Sequence, residues 1–119
     1  MSKRYNLVKY TRYQEGKGMG EYRSKLENKD MDFLCEAILS LETVEEVYRF
    51  FEDICTINEI KDLEQRLQVA KMLKQKRTYL DIASSTGAST ATISRVNRAL
   101  NYGSDGYNTV FERINWKEK

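Results

Sequence analysis

Thr78-Tyr79-Leu80-Asp81-Ile82-Ala83-Ser84-Ser85-Thr86-Gly87-Ala88-Ser89-Thr90-Ala91-Thr92-Ile93-Ser94-Arg95-Val96 places two short helical patterns on either side of a single glycine. Thr78, with Asp81 three residues on, is suited to cap a first helix that buries Leu80, Ile82 and Ala83. Ala83 is small where a second helix must cross closely. Gly87 falls where the chain has to adopt a left-handed backbone conformation, which a residue with a β-carbon enters at a cost. Ala88 tucks in behind it, Ser89 or Thr90 caps the second helix, and Ile93 and Val96 point back at the first. The pattern predicts a helix-turn-helix over residues 78–101.

In that arrangement Ser89, Thr90, Ala91, Thr92 and Ser94 lie near the start or outer face of the second helix, with Arg95 and Arg98 beyond them. They are short or basic, which is what a helix entering a major groove requires. Lys71, Lys74, Lys76 and Arg77 stand just upstream, close enough to hold an adjacent phosphate backbone, and Thr78 and Tyr79 could add hydrogen bonds to it. The expected contact set is therefore Arg77, Thr78, Tyr79, Ser89, Thr90, Ala91, Thr92, Ser94, Arg95 and Arg98, and the expected partner is double-stranded DNA. A structural elbow with ordinary capping would explain the motif alone, but not the basic density around it.

Upstream the chain reads as helix from Asp30 onward. Asp30 is a candidate cap for a helix whose apolar face is Phe33, Leu34, Ala37, Ile38 and Leu41. Thr43 with Glu46 forms a capping-box pattern that opens a second helix with Val44, Val47, Tyr48, Phe51, Ile54 and Cys55 inward. Thr56 with Glu59 repeats the device for a third helix ending near Lys74 or Gln75, with Ile60, Leu63, Leu67, Ala70 and Leu73 inward. Large side chains crowd the second helix, and a small domain cannot hide them all. A second copy of the chain is expected to cover part of that surface, giving a homodimer.

The 119 residues suit one domain with a tail, and 40% apolar with 32% charged residues fits a water-exposed globular protein. The net charge of +2 conceals blocks. Residues 1–25 carry +5, residues 26–63 carry −8, residues 64–100 carry +5, and the remainder balances. The organisation expected from this is a basic N-terminal arm over 1–25, a helical dimerisation core over 26–77, the helix-turn-helix over 78–101, and a C-terminal helix packing on the core over 102–119. Tyr5, Tyr10, Tyr13 and Tyr22 among the basic residues of the arm suit either nucleic acid or plain solvent.

There is no histidine, no metal-ligand spacing and no glycine-rich phosphate loop, so an enzyme is not expected, and neither a cofactor nor a metal is implied. Cys35 and Cys55 read as buried free thiols in a reducing compartment. No apolar run approaches the length that spans a bilayer, and the N-terminus lacks the apolar stretch of a signal peptide. The expected location is cytoplasmic, with no membrane partner.

Three blocks, Thr56–Ile60, Gln65–Leu73 and Gly87–Val96, closely resemble in order and spacing the YerC/YecD family, regulators related to the tryptophan (Trp) repressor. The resemblance covers roughly residues 30–115. It implies an all-α, Trp-repressor-like fold: an interleaved helical dimer presenting two helix-turn-helix heads to successive major grooves, about one DNA turn apart. The Trp repressor holds its corepressor between two arginines, and the positions matching them are Arg66 and Arg95. Val96 stands where the repressor has a glycine that leaves room for the indole, and Ala99 where it has a pocket serine. The positions bordering any effector pocket are thus Arg66, Arg95, Val96 and Ala99, with Val96 filling volume that tryptophan would need.

The reading reached is a sequence-specific DNA-binding regulator, of repressor type, acting as a homodimer without binding tryptophan; no other small-molecule effector is identified. The alternative is a Trp-repressor-like protein-interaction module of the transcription machinery without operator recognition, working through Glu42, Glu45, Glu46, Glu52 and Asp53.

Overall fold

Side-chain capping marks the start of five of the six α-helices among the described residues. A computed structural model describes residues 22–118, so the expected arm falls almost wholly outside the described residues. The elements are α1 (Lys29–Leu39), α2 (Val44–Ile54), α3 (Ile57–Lys74), α4 (Tyr79–Thr86), α5 (Thr90–Tyr102), α6 (Gly106–Arg113) and a short 3-10 turn (Trp116–Glu118). Among the described residues there is no strand, and no helix is long and apolar enough to cross a membrane.

The described residues fall into two compact units that part after Ile54. In the first, α1 is capped by Asn28 rather than Asp30: the Asn28 side chain accepts from the Met31 amide at 2.8 Å, and Asp30 and Asp32 occupy the first turn. Both residue types cap well, and the extended backbone of Asn28 is what selects it. At α2, Thr43 accepts from the Glu46 amide (3.1 Å), while the Glu46 carboxylate reaches past Thr43 to the Glu42 amide (2.8 Å).

Neither α1 nor α2 buries an apolar side chain in this unit. Phe33 is 74% exposed, Val44 74% and Tyr48 66%, and Ile38, Val47 and Ile54 are exposed as well. The inward faces expected for both helices are therefore not covered within this unit. Leu34, Ala37, Leu41, Phe50 and Phe51 are half-buried, with the Phe50 and Phe51 rings tilted against each other at 6.1 Å. The cysteines also depart from expectation: Cys35 is exposed and Cys55 half-buried, although both are free thiols.

The second unit contains a closed core. Thr56 and Glu59 complete the capping box of α3, with Glu59 N–H to Thr56 Oγ1 at 3.1 Å and Thr56 N–H to Glu59 Oε1 at 2.8 Å. Those bonds to Thr56, its backbone amide first and its hydroxyl second, hold the Glu59 carboxyl below its ordinary pKa. Val69, Ala70, Met72, Ile82, Ala88, Ile93, Val96 and Phe111 form the core. Full burial of a residue such as Ile82 or Ile93 contributes roughly 1.5–3 kcal/mol.

α3 carries two apolar faces. Val69, Ala70 and Met72 meet α4 and α5, whereas Leu63 and Leu67, expected inward, remain 43% and 39% exposed on another side. α6 packs against α5 and delivers Phe111 to the core, where its ring lies 5.4 Å from that of Trp116. Gly103 makes the α5–α6 connection possible, because a β-carbon there would come within 2.4 Å of the Ala99 carbonyl oxygen.

Candidate nucleic-acid interface

The candidate surface is built from α4, its turn and α5. α3 ends in a Schellman motif: Lys76 N–H bonds to the Leu73 carbonyl (3.0 Å) and Arg77 N–H to that of Met72 (3.1 Å). Lys76 takes the left-handed position of that motif (φ 64°), where glycine is the usual occupant. The chain then turns into α4. Thr78 caps it, accepting from the Asp81 amide at 3.1 Å, and the Asp81 carboxylate bonds Arg77 Nε. That hydrogen bond lowers the Asp81 pKa and raises that of Arg77.

α4 buries Ile82 completely and Ala83 in part, while Leu80, expected in the core, is 82% exposed. In an eight-residue helix only one narrow face can meet the neighbouring helices, and Ile82 with Ala83 occupies it. Gly87 adopts φ 74° and returns its N–H to the Ala83 carbonyl at 2.9 Å. A β-carbon at Gly87 would meet nothing within 4 Å, so backbone conformation and not space requires glycine.

Thr86 and Gln65 hold the turn in a way that short-range pattern did not disclose. The Thr86 hydroxyl donates to the Ile82 carbonyl (2.7 Å) and accepts from the Ala88 amide (3.1 Å). Gln65 Nε2, 21 residues away in sequence, donates to the Thr86 carbonyl at 3.1 Å. Ala88 is buried beneath them.

Ser89 caps α5, accepting from the Thr92 amide at 3.1 Å and donating its own proton to the Thr92 hydroxyl at the same distance. Ile93 and Val96 are 0% and 1% exposed. The opposite side of the helix presents Ser89, Thr90, Ala91, Arg95 and Arg98 to solvent, with Thr92 and Ser94 half-buried at the margin. Arg77, Thr78 and Tyr79 are exposed at the start of α4. All ten expected contact residues thus belong to two helix starts, the turn before the first, and the outer face of α5.

Lys74, one of the upstream cations, is engaged with α6. Its Nζ donates to Asn108 Oδ1 at 3.0 Å and stands 5.9 Å from the centre of the Phe111 ring, which commits it to α6. Asn108 also donates to the Leu100 carbonyl (3.2 Å), joining three helices through one amide. A partner 34 residues distant leaves no local signal in the sequence.

Of the effector-pocket positions, Arg66 and Ala99 are half-buried, Arg95 is exposed and Val96 is packed in the core. A cleft of about 560 Å³ beside Lys76, Arg77, Asn97 and Asn101 and another of about 530 Å³ beside Gln65, Gln68 and Thr86 are lined by neither arginine. Among the described residues no group of three or more cysteine, aspartate or glutamate side chains is arranged to hold a metal ion.

Comparison with known proteins agrees with this architecture. The family model of the Trp repressor protein matches residues 29–115. The uncharacterized protein YerC of Bacillus subtilis is 58% identical over 90 residues, covering 76% of this chain and 86% of YerC. A crystal structure of a TrpR-like protein from Eubacterium eligens superposes with a TM-score of 0.73 at 65% identity, covering 76% of this chain and 94% of that one. A protein from Staphylococcus aureus proposed to be a Trp repressor superposes with the same TM-score at 56% identity, over 76% and 91% of the two chains.

Proposed function

The chain belongs to the Trp repressor family, and from that premise we propose that it is a sequence-specific DNA-binding regulator of repressor type that acts as a homodimer. One observation carries the proposal. α5 has Ile93 and Val96 sealed into the core on one side and short hydroxyl or basic side chains at its start and outer face on the other. Such a helix can approach a duplex closely, with Ser89, Thr90, Ala91, Thr92 and Ser94 near base edges and Arg95 and Arg98 reaching bases or phosphate. Arg77, Thr78 and Tyr79 then meet the backbone beside the groove.

The uncovered apolar faces of α1, α2 and the first half of α3 support the homodimer. Phe33, Val44, Tyr48 and Ile57 are each about two-thirds exposed or more, an arrangement that a second copy would bury. Val96 supports a regulator that does not take tryptophan, because it is a packed core residue at the position where the resemblance to the Trp repressor implies a glycine that leaves room for the indole.

Selection of binding sites from random duplex DNA tests the function. Recovery of a palindromic motif is expected, and replacing Arg95 and Arg98 together with alanine should weaken its binding and flatten the salt dependence. Uniform recovery would instead favour the protein-interaction module working through the acidic residues of α2.

A further inference from the structure

Three helix starts in this chain share the pattern threonine, two residues, carboxylate: Thr43 with Glu46, Thr56 with Glu59, and Thr78 with Asp81. In each, the threonine hydroxyl accepts from the amide three residues on. The carboxylates then diverge. Glu59 returns to the Thr56 amide and Glu46 to the Glu42 amide, so both serve the helix that carries them. Asp81 gives its carboxylate to Arg77 Nε instead, one residue before the cap of α4.

Asp81 is also the single acid between Gln65 and Ser104, a stretch with Lys71, Lys74, Lys76, Arg77, Arg95 and Arg98. A carboxylate there subtracts from the attraction of this surface for a polyanion. An ion pair as exposed as this one also adds little to stability. Both considerations leave the orientation of Arg77 as the consequence of the contact. The bond uses Nε, which leaves the two terminal amino groups of the guanidinium to a second acceptor, in the fork geometry suited to phosphate. Holding a long side chain in place beforehand also reduces the ordering cost of binding.

We propose that Asp81 is a positioning residue for DNA: by holding Nε it presets the Arg77 guanidinium for a backbone phosphate beside the groove entered by α5. The inference rests on the DNA-binding reading above. It makes a prediction opposite in sign to that of charge alone, since loss of a negative charge from a DNA-facing surface should otherwise tighten binding.

The test uses the full chain and a duplex recovered by site selection, titrated over a series of salt concentrations. Asp81→Ala and Arg77→Ala should each weaken binding about three- to ten-fold and lower the salt slope by about one. The double variant should be no weaker than Arg77→Ala alone, and Asp81→Asn, which keeps a neutral acceptor for Nε, should fall between wild type and Asp81→Ala. Equal or tighter binding by Asp81→Ala overturns the inference, and so does weaker binding with an unchanged slope, which marks a purely structural role. If the Arg95 and Arg98 double variant loses binding while Asp81→Ala does not, the positioning role fails and DNA recognition stands. If wild-type protein binds no duplex, both fall together.

Discussion

Residues 55–118 and residues 22–54 are both helical and both well capped, yet only the first group closes a core within one chain. Val69, Ile82, Ile93 and Val96 are essentially sealed from solvent, while α1 and α2 bury no apolar side chain and leave Phe33, Val44 and Tyr48 open. The difference separates two uses of the same amphipathic pattern. Among residues 55–118, apolar positions meet helices of their own unit; in α1 and α2, they form a surface left open within theirs.

The largest expected effect follows from that contrast. If a second copy covers these faces as proposed, replacing Phe33 and Tyr48 with serine should cost on the order of 4 kcal/mol per dimer, at about 1 kcal/mol for each of four partly covered side chains. A cost of that size weakens dimerisation about 1,000-fold. Sedimentation or light scattering across a dilution series checks it. A wild-type chain that stays monomeric at micromolar concentration would break the comparison, because the open faces would then need another partner.

Ile93→Ala addresses the other side. Removing a fully buried isoleucine from the head should destabilise by about 2–5 kcal/mol. In urea titrations at fixed protein concentration the midpoint should fall, while the dilution behaviour of the folded protein changes far less than in the serine double variant. Equal effects of the two on assembly would mean that the head and α1–α2 do not divide the work as proposed.

What could be read in the sequence follows the range of the interactions. Thr43, Thr56, Thr78 and Ser89 were recognisable as caps because each cap is settled within three or four residues, and Gly87 because a left-handed turn narrows the choice to almost one residue type. Asn28 and Asp30 have the same capping chemistry two positions apart, and only backbone geometry separates them. On α3 the periodic strip Ile60, Leu63, Leu67, Ala70 and Leu73 is visible, and Ala70 and Leu73 do reach the core, but the further burial of Val69 and Met72 becomes apparent only once α4 and α5 are in place. The bonds from Gln65 to Thr86 and from Lys74 to Asn108 bridge 21 and 34 residues, beyond any periodicity. The outer face of α5 was legible because burial of Ile93 and Val96 dictates what lies opposite them.

A smaller pair of effects comes from the two left-handed residues that bracket α4. Gly87→Ala places a β-carbon at φ 74° and should cost about 1–2 kcal/mol, whereas Lys76→Gly relieves a lysine at φ 64° and should stabilise by up to about 1 kcal/mol. Thermal unfolding of the two variants should therefore move in opposite directions. Lys76→Gly should also reduce DNA affinity if the Lys76 ammonium contributes to the phosphate-facing surface, since the backbone gains while a cation is lost.

The smallest expected effect compares the capping boxes of the two units. Bonds from the Thr56 backbone and hydroxyl lower the Glu59 pKa, whereas in α2 the Glu46 carboxylate bonds the Glu42 amide and not that of its cap, Thr43. A carboxyl whose folded pKa is depressed contributes stability above its unfolded pKa, and that contribution is lost as pH falls through the folded value. Stability attributable to Glu59 should thus be fully present at neutral pH and be lost as pH falls through and below the ordinary carboxylate range. Glu59→Gln should lower the urea midpoint at pH 7 and remove part of its decline on acidification, with wild type and variant converging at low pH. Glu46→Gln, whose carboxylate bonds the Glu42 amide ahead of the helix cap, should lower the urea midpoint at pH 7 less than Glu59→Gln does. A larger fall of the midpoint at pH 7 from Glu46→Gln than from Glu59→Gln would assign the better-formed box to α2 and reverse the order of local stability at the two helix starts.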